Sequence, residues 1–71
     1  MTKDQLSKKV GKRIVELRIK KDLNQSDLAR ACGKDRQAIE KIENGKVNST
    51  TYTLYVISKA LGVDLYELLK F

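Results

Sequence analysis

Residues 23–45 read LNQSDLARACGKDRQAIEKIENG, and this stretch carries the signals of two short helices separated by a turn. Asn24 is a preferred N-cap residue type, and Gly33 is the residue type that most easily takes the left-handed conformation after a helix. Asp35 can cap the second helix, which should end near Gly45. Because so few residues separate the two helices, the second must leave the first at a steep angle, so the sequence predicts a helix-turn-helix.

The outward face of the second predicted helix is rich in long polar side chains. If Ile39 and Ile42 point toward the core, the residues left outside form one stripe along the helix, made of Arg36, Gln37, Glu40, Lys41 and Asn44. In the major groove of DNA, Arg and Lys donate to guanine, Gln binds adenine, and Glu accepts from cytosine. An ordinary solvated helix surface has a similar composition, so this pattern alone leaves both interpretations open.

The order and spacing of these residues closely resemble the DNA-binding domain of lambdoid phage repressors and Cro proteins, the XRE-like family typified by the 434 repressor. The resemblance extends over nearly the whole chain. It is carried by Val10-Gly11, Arg13-Ile14, Leu17-Arg18, Leu23, Asn24-Gln25, Leu28-Ala29, Gly33, Ile39, Ile42, Glu43-Asn44-Gly45-Lys46, Leu54, Ile57, Ala60-Leu61-Gly62-Val63 and Leu65. It implies an all-α, compact five-helix fold of the lambda-repressor type, with the helix-turn-helix at helices 2 and 3.

The first of these helices has a clear start signal. Thr2 and Gln5 fit a capping box, and the helix should run to about Lys21. Gly11 lies in its middle, where glycine costs about 1 kcal/mol relative to alanine, so another helix is expected to approach closely there. Asp22 falls where the family often has glycine, and it is expected to take the left-handed conformation with slight strain.

Two further helices follow the helix-turn-helix. Ser49 or Thr50 should cap the fourth helix, and Leu65 should begin the fifth. Asp64 and Glu67 have the spacing of an acidic capping box for that last helix. The whole chain, residues 1–71, is therefore expected to be one domain, a bare DNA-binding unit.

The charge of the chain is strongly basic and unevenly distributed. Fifteen basic and nine acidic side chains give a net charge of +6, and residues 1–22 carry eight of the basic and three of the acidic ones. Such a balance suits a polyanion such as nucleic acid, although an anionic membrane surface would suit it too.

One cysteine and no histidine limit the chemistry. They exclude an intrachain disulfide and an ordinary zinc site, which needs about four Cys or His ligands. No nucleophile with a base stands out, so we expect no catalytic residue, metal, cofactor or small-molecule ligand, and no enzyme. Cys32 should be a small buried hydrophobic residue. No apolar run approaches the roughly 20 residues that span a bilayer, so a cytoplasmic protein without a membrane partner is expected.

The resemblance assigns roles to individual residues near the second predicted helix. The three base-reading positions of the family correspond here to Arg36, Gln37 and Lys41, and two backbone-contacting positions correspond to Gln25 and Asn44. Lys34 and Lys46 are expected to meet phosphates as well. Two alternatives stay open. Arg36 could pair with Glu40 one turn later and read nothing, and Gln25 could merely support its own helix start.

A buried salt bridge and a dimer surface are also implied. Arg18 and Glu43 match a family pair that joins the first helix to the recognition helix, the alternative being two separate surface charges. The dimer surface should use the segment around Val47 and a C-terminal apolar patch of Tyr66, Leu69 and Phe71.

The function that follows is a sequence-specific transcriptional regulator, a repressor that binds a palindromic operator in double-stranded DNA as a homodimer, with its recognition helix, about residues 36–44, in the major groove. The alternative is a protein-interaction or antitoxin-like module whose main partner is another protein. A steep fall of affinity with salt would favour DNA as the partner.

Overall fold

Four α-helices follow one another along the chain, and a short 3-10 helix closes it. The computed structural model describes residues 1–71. The helices are α1 (Lys3–Lys20), α2 (Gln25–Cys32), α3 (Arg36–Glu43) and α4 (Thr51–Leu61), followed by the 3-10 helix η1 (Leu65–Leu69). The prediction of an all-α fold with a helix-turn-helix at the second and third helices is confirmed.

The predicted caps explain where the four α-helices begin. Thr2 and Gln5 form the capping box, in which each side chain accepts from the backbone N–H of the other. Asn24 and Asp35 accept from backbone N–H groups in the first turns of α2 and α3. Thr50 caps α4, which settles the choice between the two predicted caps. Each such cap contributes about 1 kcal/mol.

The prediction of a fifth α-helix is wrong, because η1 is a 3-10 helix of five residues. Its predicted capping box does not form, since the side chain of Asp64 makes no cap hydrogen bond. The carboxylate of Glu67 instead meets Arg13 of α1, with Nη2 3.0 Å from Oε1, and Arg13 Nε donates to the Glu67 carbonyl at 2.8 Å. Glu67, which the predicted capping box required, therefore contacts Arg13 of α1 instead.

The core draws on every helix. Its fully buried side chains are Ile14, Leu28, Ile39, Ile57, Leu61 and Leu68. Burial of one such side chain stabilises the folded chain by about 1.5–3 kcal/mol before the entropy cost of ordering it. Because α1, α2, α3, α4 and η1 all contribute to this cluster, the position of α3 depends on the whole fold.

Asp22 ends α1 in the conformation that the sequence predicted. It is the only residue other than glycine with a positive φ, at 60°. Its N–H donates to Ile19 O at 2.9 Å, and the following Leu23 N–H donates to Arg18 O at 3.1 Å. The chain thereby reverses within a few residues and brings α2 back against the core.

Candidate nucleic-acid interface

The turn between α2 and α3 has little conformational freedom. Gly33 takes the left-handed conformation with φ 68°, and the next residue, Lys34, donates its N–H to Ala29 O at 2.9 Å. Asp35 then caps α3. Because the turn is closed by backbone bonds on one side and by a helix cap on the other, α3 starts from a defined position.

The far end of α3 is set directly against α1. A Cβ atom at Gly11 would lie 2.5 Å from the carbonyl oxygen of Ile42 and even nearer to that of Glu43. Only glycine fits at this crossing, because both neighbours are backbone atoms that cannot rotate away. The close approach predicted at Gly11 is confirmed.

Arg18 of α1 and Glu43 of α3 form an ion pair beside this crossing. Arg18 Nε lies 2.7 Å from Glu43 Oε2, Nη2 lies 3.2 Å from Oε1, and the Glu43 side chain is 2% exposed. Arg18 Nη1 also donates to Leu23 O, and Gln25 Nε2 donates to Glu43 Oε1 at 2.9 Å. With these partners no buried side-chain nitrogen or oxygen is left without a hydrogen bond, so the pair avoids the cost of an uncompensated buried charge.

The outer stripe of α3 is arranged quite differently. Gln37 and Lys41 are exposed, and neither side chain forms a hydrogen bond or ion pair within the protein. Arg36 does have partners: its Nη1 donates to Glu40 Oε2 and to Gln25 Oε1, each at 3.2 Å. The pairing of Arg36 with Glu40 that the sequence left open is present. Gln25 joins Arg36 to Glu43 in addition to starting α2.

These features make a rigidly seated helix with a polar outer stripe. The helix-turn-helix family HTH_3 matches residues 14–68, which is most of the chain. The chain belongs to the HTH_3 family. HTH_3 proteins are DNA-binding transcriptional regulators, so the prediction of a DNA-binding regulator that is not an enzyme is confirmed.

Individual proteins resemble this HTH_3 chain over most of its length. A HTH-type transcriptional regulator of Sinorhizobium fredii, y4dJ, is 36% identical over 63 residues, which are 89% of this chain and 82% of the relative. The ImmF control region 10 kDa protein of Bacillus phage phi105 is 38% identical over 58 residues, and the match spans 82% of this chain and 64% of that protein. The restriction-modification controller protein C.AhdI from Aeromonas hydrophila has a similar structure, with a TM-score of 0.84, 34% identity and coverage of 87% and 94% of the two chains.

The expected phosphate-contacting residues of this HTH_3 domain lie around α3. Lys34 precedes the helix and is half-buried, Asn44 is its exposed C-cap residue, and Lys46 follows it in the exposed loop. Gln25 is the first residue of α2 and half-buried. Lys34, Asn44 and Lys46 use their side chains in no internal hydrogen bond, whereas Gln25 is tied to its two neighbours.

Two of the four residues expected at a dimer contact line the same depression. Val47 and Leu69 line a shallow apolar depression together with Leu6 of α1. Phe71 lies elsewhere, with Lys9 Nζ 5.8 Å from its ring centroid, and Tyr66 lies beside Lys70 at 5.7 Å. All four are exposed, between 40% and 58%.

Two residues near the site were not among the contact residues that the sequence predicted. Leu6 continues the apolar spacing of α1 but is 42% exposed, because it lies one turn beyond the buried Val10. Glu40 belongs to the outer stripe, where a glutamate can accept from cytosine, but the sequence prediction considered it only as a possible partner of Arg36. Its residue type, an acceptor among donors, was the available signal.

Two remaining features bear on other kinds of site. Burial raises the pKa of the Cys32 thiol, while the Lys34 charge acts in the opposite direction. Cys32 packs against the core but is only partly buried, whereas the sequence predicted a buried residue. None of the helices combines the length and the apolar character that crossing a membrane requires.

Proposed function

We propose that this HTH_3 domain is a sequence-specific repressor that places α3 in the major groove of its operator, where Gln37, Lys41 and Arg36 contact bases. The observation that carries this proposal is the contrast between the two sides of α3. Its inner side is fixed by Gly11 and by the Arg18–Glu43 pair, and its outer side leaves Gln37 and Lys41 without internal partners. Reading base edges requires such unengaged donors and acceptors on a rigid support.

Phosphate contacts on either side of α3 complete the proposed interface. Lys34, Asn44 and Lys46 stand at the two ends of α3 with unengaged side chains, and Gln25 stands at the N-terminus of α2, where free N–H groups favour an anion. Contacts of this kind fix the register of a protein on the duplex, and the base contacts then supply specificity.

A two-fold operator and a homodimer belong to the same proposal. One helix of eight residues offers few base contacts, and a symmetric pair doubles them over half-sites separated by roughly 34 Å. The proposed contact between subunits uses Val47 and Leu69, which share the apolar depression, together with the exposed Tyr66 and Phe71. Isolated apolar residues of this size support a weak contact that DNA strengthens by holding both subunits on one site.

The decisive experiment is a binding selection from random duplex DNA, followed by titrations of the selected site at several salt concentrations. A palindromic consensus with two equal half-sites, and an affinity that falls steeply with salt, would support the proposal. Failure to enrich any sequence, together with an affinity for DNA that hardly depends on salt, would overturn it in favour of a protein-interaction module.

Repression and dimerisation need separate measurements. A reporter whose promoter overlaps the selected site should lose expression when the protein is present, and a rise would make the protein an activator. For the dimer, Leu69→Lys should leave a folded chain that no longer binds the two half-sites cooperatively. The matched control is Tyr52→Lys, since Tyr52 is 73% exposed and lies on α4, outside the proposed contact. Equal cooperativity in the wild type and both variants would place the contact elsewhere.

A further inference from the structure

Arg36 and Glu40 form an ion pair on the outer face of α3, and both remain accessible. Their side chains are 49% and 41% exposed. Arg36 Nη1 lies 3.2 Å from Glu40 Oε2 and 3.2 Å from Gln25 Oε1. Gln25 is in turn anchored to the buried Glu43. The Nη1 group is therefore held by two acceptors, which restrain the side chain more than a single exposed pair would.

This arrangement determines which edge of Arg36 is available. Its Nη1 group is engaged by Gln25 and Glu40, whereas Nε and Nη2 make no contact within the protein. Nε and Nη2 carry two parallel N–H groups, the fork that fits the O6 and N7 acceptors of guanine. The internal pairing thus leaves Arg36 able to bind guanine through its side edge.

Glu40 also keeps one oxygen available. Its Oε2 accepts from Arg36, and its Oε1 has no partner within the protein. An ionised carboxylate can only accept hydrogen bonds, and the major groove offers donors at cytosine N4 and at adenine N6. The adenine amine lies beside the N7 acceptor, which repels a carboxylate, so cytosine is the base that suits Glu40.

We infer that Glu40 is a fourth base-reading residue of α3, which accepts from the N4 amine of a cytosine beside the guanine that Arg36 binds. Side chains four residues apart on a helix are about 5–6 Å from each other. Successive base pairs are stacked roughly 3.4 Å apart. This separation is compatible with a cytosine in the base pair next to the guanine, which makes the two preferences separate positions of the site. This role rests on the proposed function, since it requires α3 in the major groove.

The Glu40 carboxylate contributes to base specificity mainly by disfavouring bases that offer it no hydrogen-bond donor. Next to the phosphates of DNA it is repelled, and opposite the keto oxygen of thymine or guanine it would lose its water without gaining a donor. Only a site that presents an amine offsets that cost. Glu40 consequently penalises other bases, in contrast to Lys41 of the same stripe, which attracts any duplex through its charge.

The test compares three proteins in the same selection from random duplex DNA: the wild type, Glu40→Gln and Glu16→Gln. Glu16 is a matched control because it is 55% exposed, lies on α1 and pairs with an arginine at 3.3 Å, so its replacement removes the same charge from an exposed glutamate outside α3. The wild type should prefer cytosine at one position by about tenfold. Glu40→Gln should lose the preference for cytosine over adenine, because an amide can bind both N6 and N7 of adenine. It should keep the neighbouring guanine, because Gln25 still holds Arg36. Glu16→Gln should keep both.

The alternative outcomes separate this role from the proposed function. A uniform rise in affinity for all duplexes, equal in Glu40→Gln and Glu16→Gln, would reduce Glu40 to a general repulsive charge and overturn the inference. A second outcome would also overturn the inference: the wild type shows no cytosine preference, and Glu40→Gln loses the guanine preference. Glu40 would then only position Arg36. A wild type that selects no sequence would instead refute the proposed function. Circular dichroism melts verify that each variant is folded.

Discussion

Two Arg–Glu pairs fasten other parts of the molecule to α1, and they differ in their access to water. Arg18 and Glu43, 13% and 2% exposed, hold the end of α3. Arg13 and Glu67, 20% and 24% exposed, hold η1. The residue types and the supporting helix are the same. The first difference between the pairs is burial: a carboxylate at the surface can recover hydration when its partner is lost, and a carboxylate inside the protein cannot.

The geometry of the two pairs differs in a second way. Both Nε and Nη2 of Arg18 donate to the carboxylate of Glu43, which has Gln25 as a third donor. Arg13 divides its donors, with Nε on the Glu67 carbonyl and Nη2 on the carboxylate. The Arg18–Glu43 ion pair is thus bidentate, whereas Arg13 binds Glu67 partly through the backbone carbonyl of Glu67.

The largest expected effect is that of Arg18→Met. It should lower the free energy of unfolding, measured by urea titration at neutral pH, by about 3–5 kcal/mol, because Glu43 would remain as a buried carboxylate without its charged partner. The double variant Arg18→Met/Glu43→Leu is the control and should recover much of the loss. If Arg18→Met and Glu43→Leu each cost less than about 0.5 kcal/mol and their costs add in the double variant, the buried pair contributes no more to stability than an exposed one.

Gly11→Ala should come next, with a loss of about 1–3 kcal/mol, since the added methyl group meets the backbone carbonyls of Ile42 and Glu43. This variant tests whether close backbone packing, and not only the Arg18–Glu43 pair, holds the end of α3 against α1. Lys12→Ala, on the exposed side of the same helix turn, is the control and should change stability by less than about 0.5 kcal/mol. A more stable Gly11→Ala protein, as helix propensity alone would give, would contradict the close crossing.

Arg13→Met should cost less, about 1 kcal/mol, because Glu67 lies partly in water and can be rehydrated. Urea titration measures the global effect, and amide hydrogen exchange should show faster exchange confined to η1. A loss as large as that of Arg18→Met would remove the distinction between the two pairs.

The smallest expected effect is that of Glu67→Gln, below about 0.5 kcal/mol, because the amide oxygen still accepts from Arg13 Nη2 and the backbone bond to Nε is untouched. The matched change at the Arg18–Glu43 pair, Glu43→Gln, should cost several times more in the same titration. Equal losses for the two amides would indicate that the Arg13–Glu67 pair depends on charge as much as the Arg18–Glu43 pair.

Local signals allowed much of the fold to be predicted. Caps act within a few residues, so Thr2, Asn24 and Asp35 identified helix starts that the structure confirms. The unfavourable glycine in α1 correctly indicated a crossing point. The pattern failed at η1 because its Glu67 contacts Arg13 across 54 residues of sequence, and no local rule weighs that contact against a capping box.

The candidate site was predictable in outline and less so in detail. Helical periodicity is enough to place Arg36, Gln37, Glu40 and Lys41 on one stripe. It does not determine which of several long side chains pair with one another, since that depends on rotamers and on Gln25, which comes from another helix. Leu6 illustrates the same limit, because the spacing that groups it with the core residues of α1 does not tell where the core ends.

The unequal bonding along α3 has a consequence for redesign. The side chains of Gln37 and Lys41 make no hydrogen bond or ion pair within the protein, so a library that varies these two positions presents new chemistry on an unchanged scaffold. Gln25 and Arg36 are linked to each other, and Gln25 also donates to Glu43. A library that varies position 25 therefore removes one of the three side-chain donors to a buried carboxylate. Positions 37 and 41 can thus be varied independently. Gln25, Arg36 and Glu40 are linked by hydrogen bonds and have to be varied together.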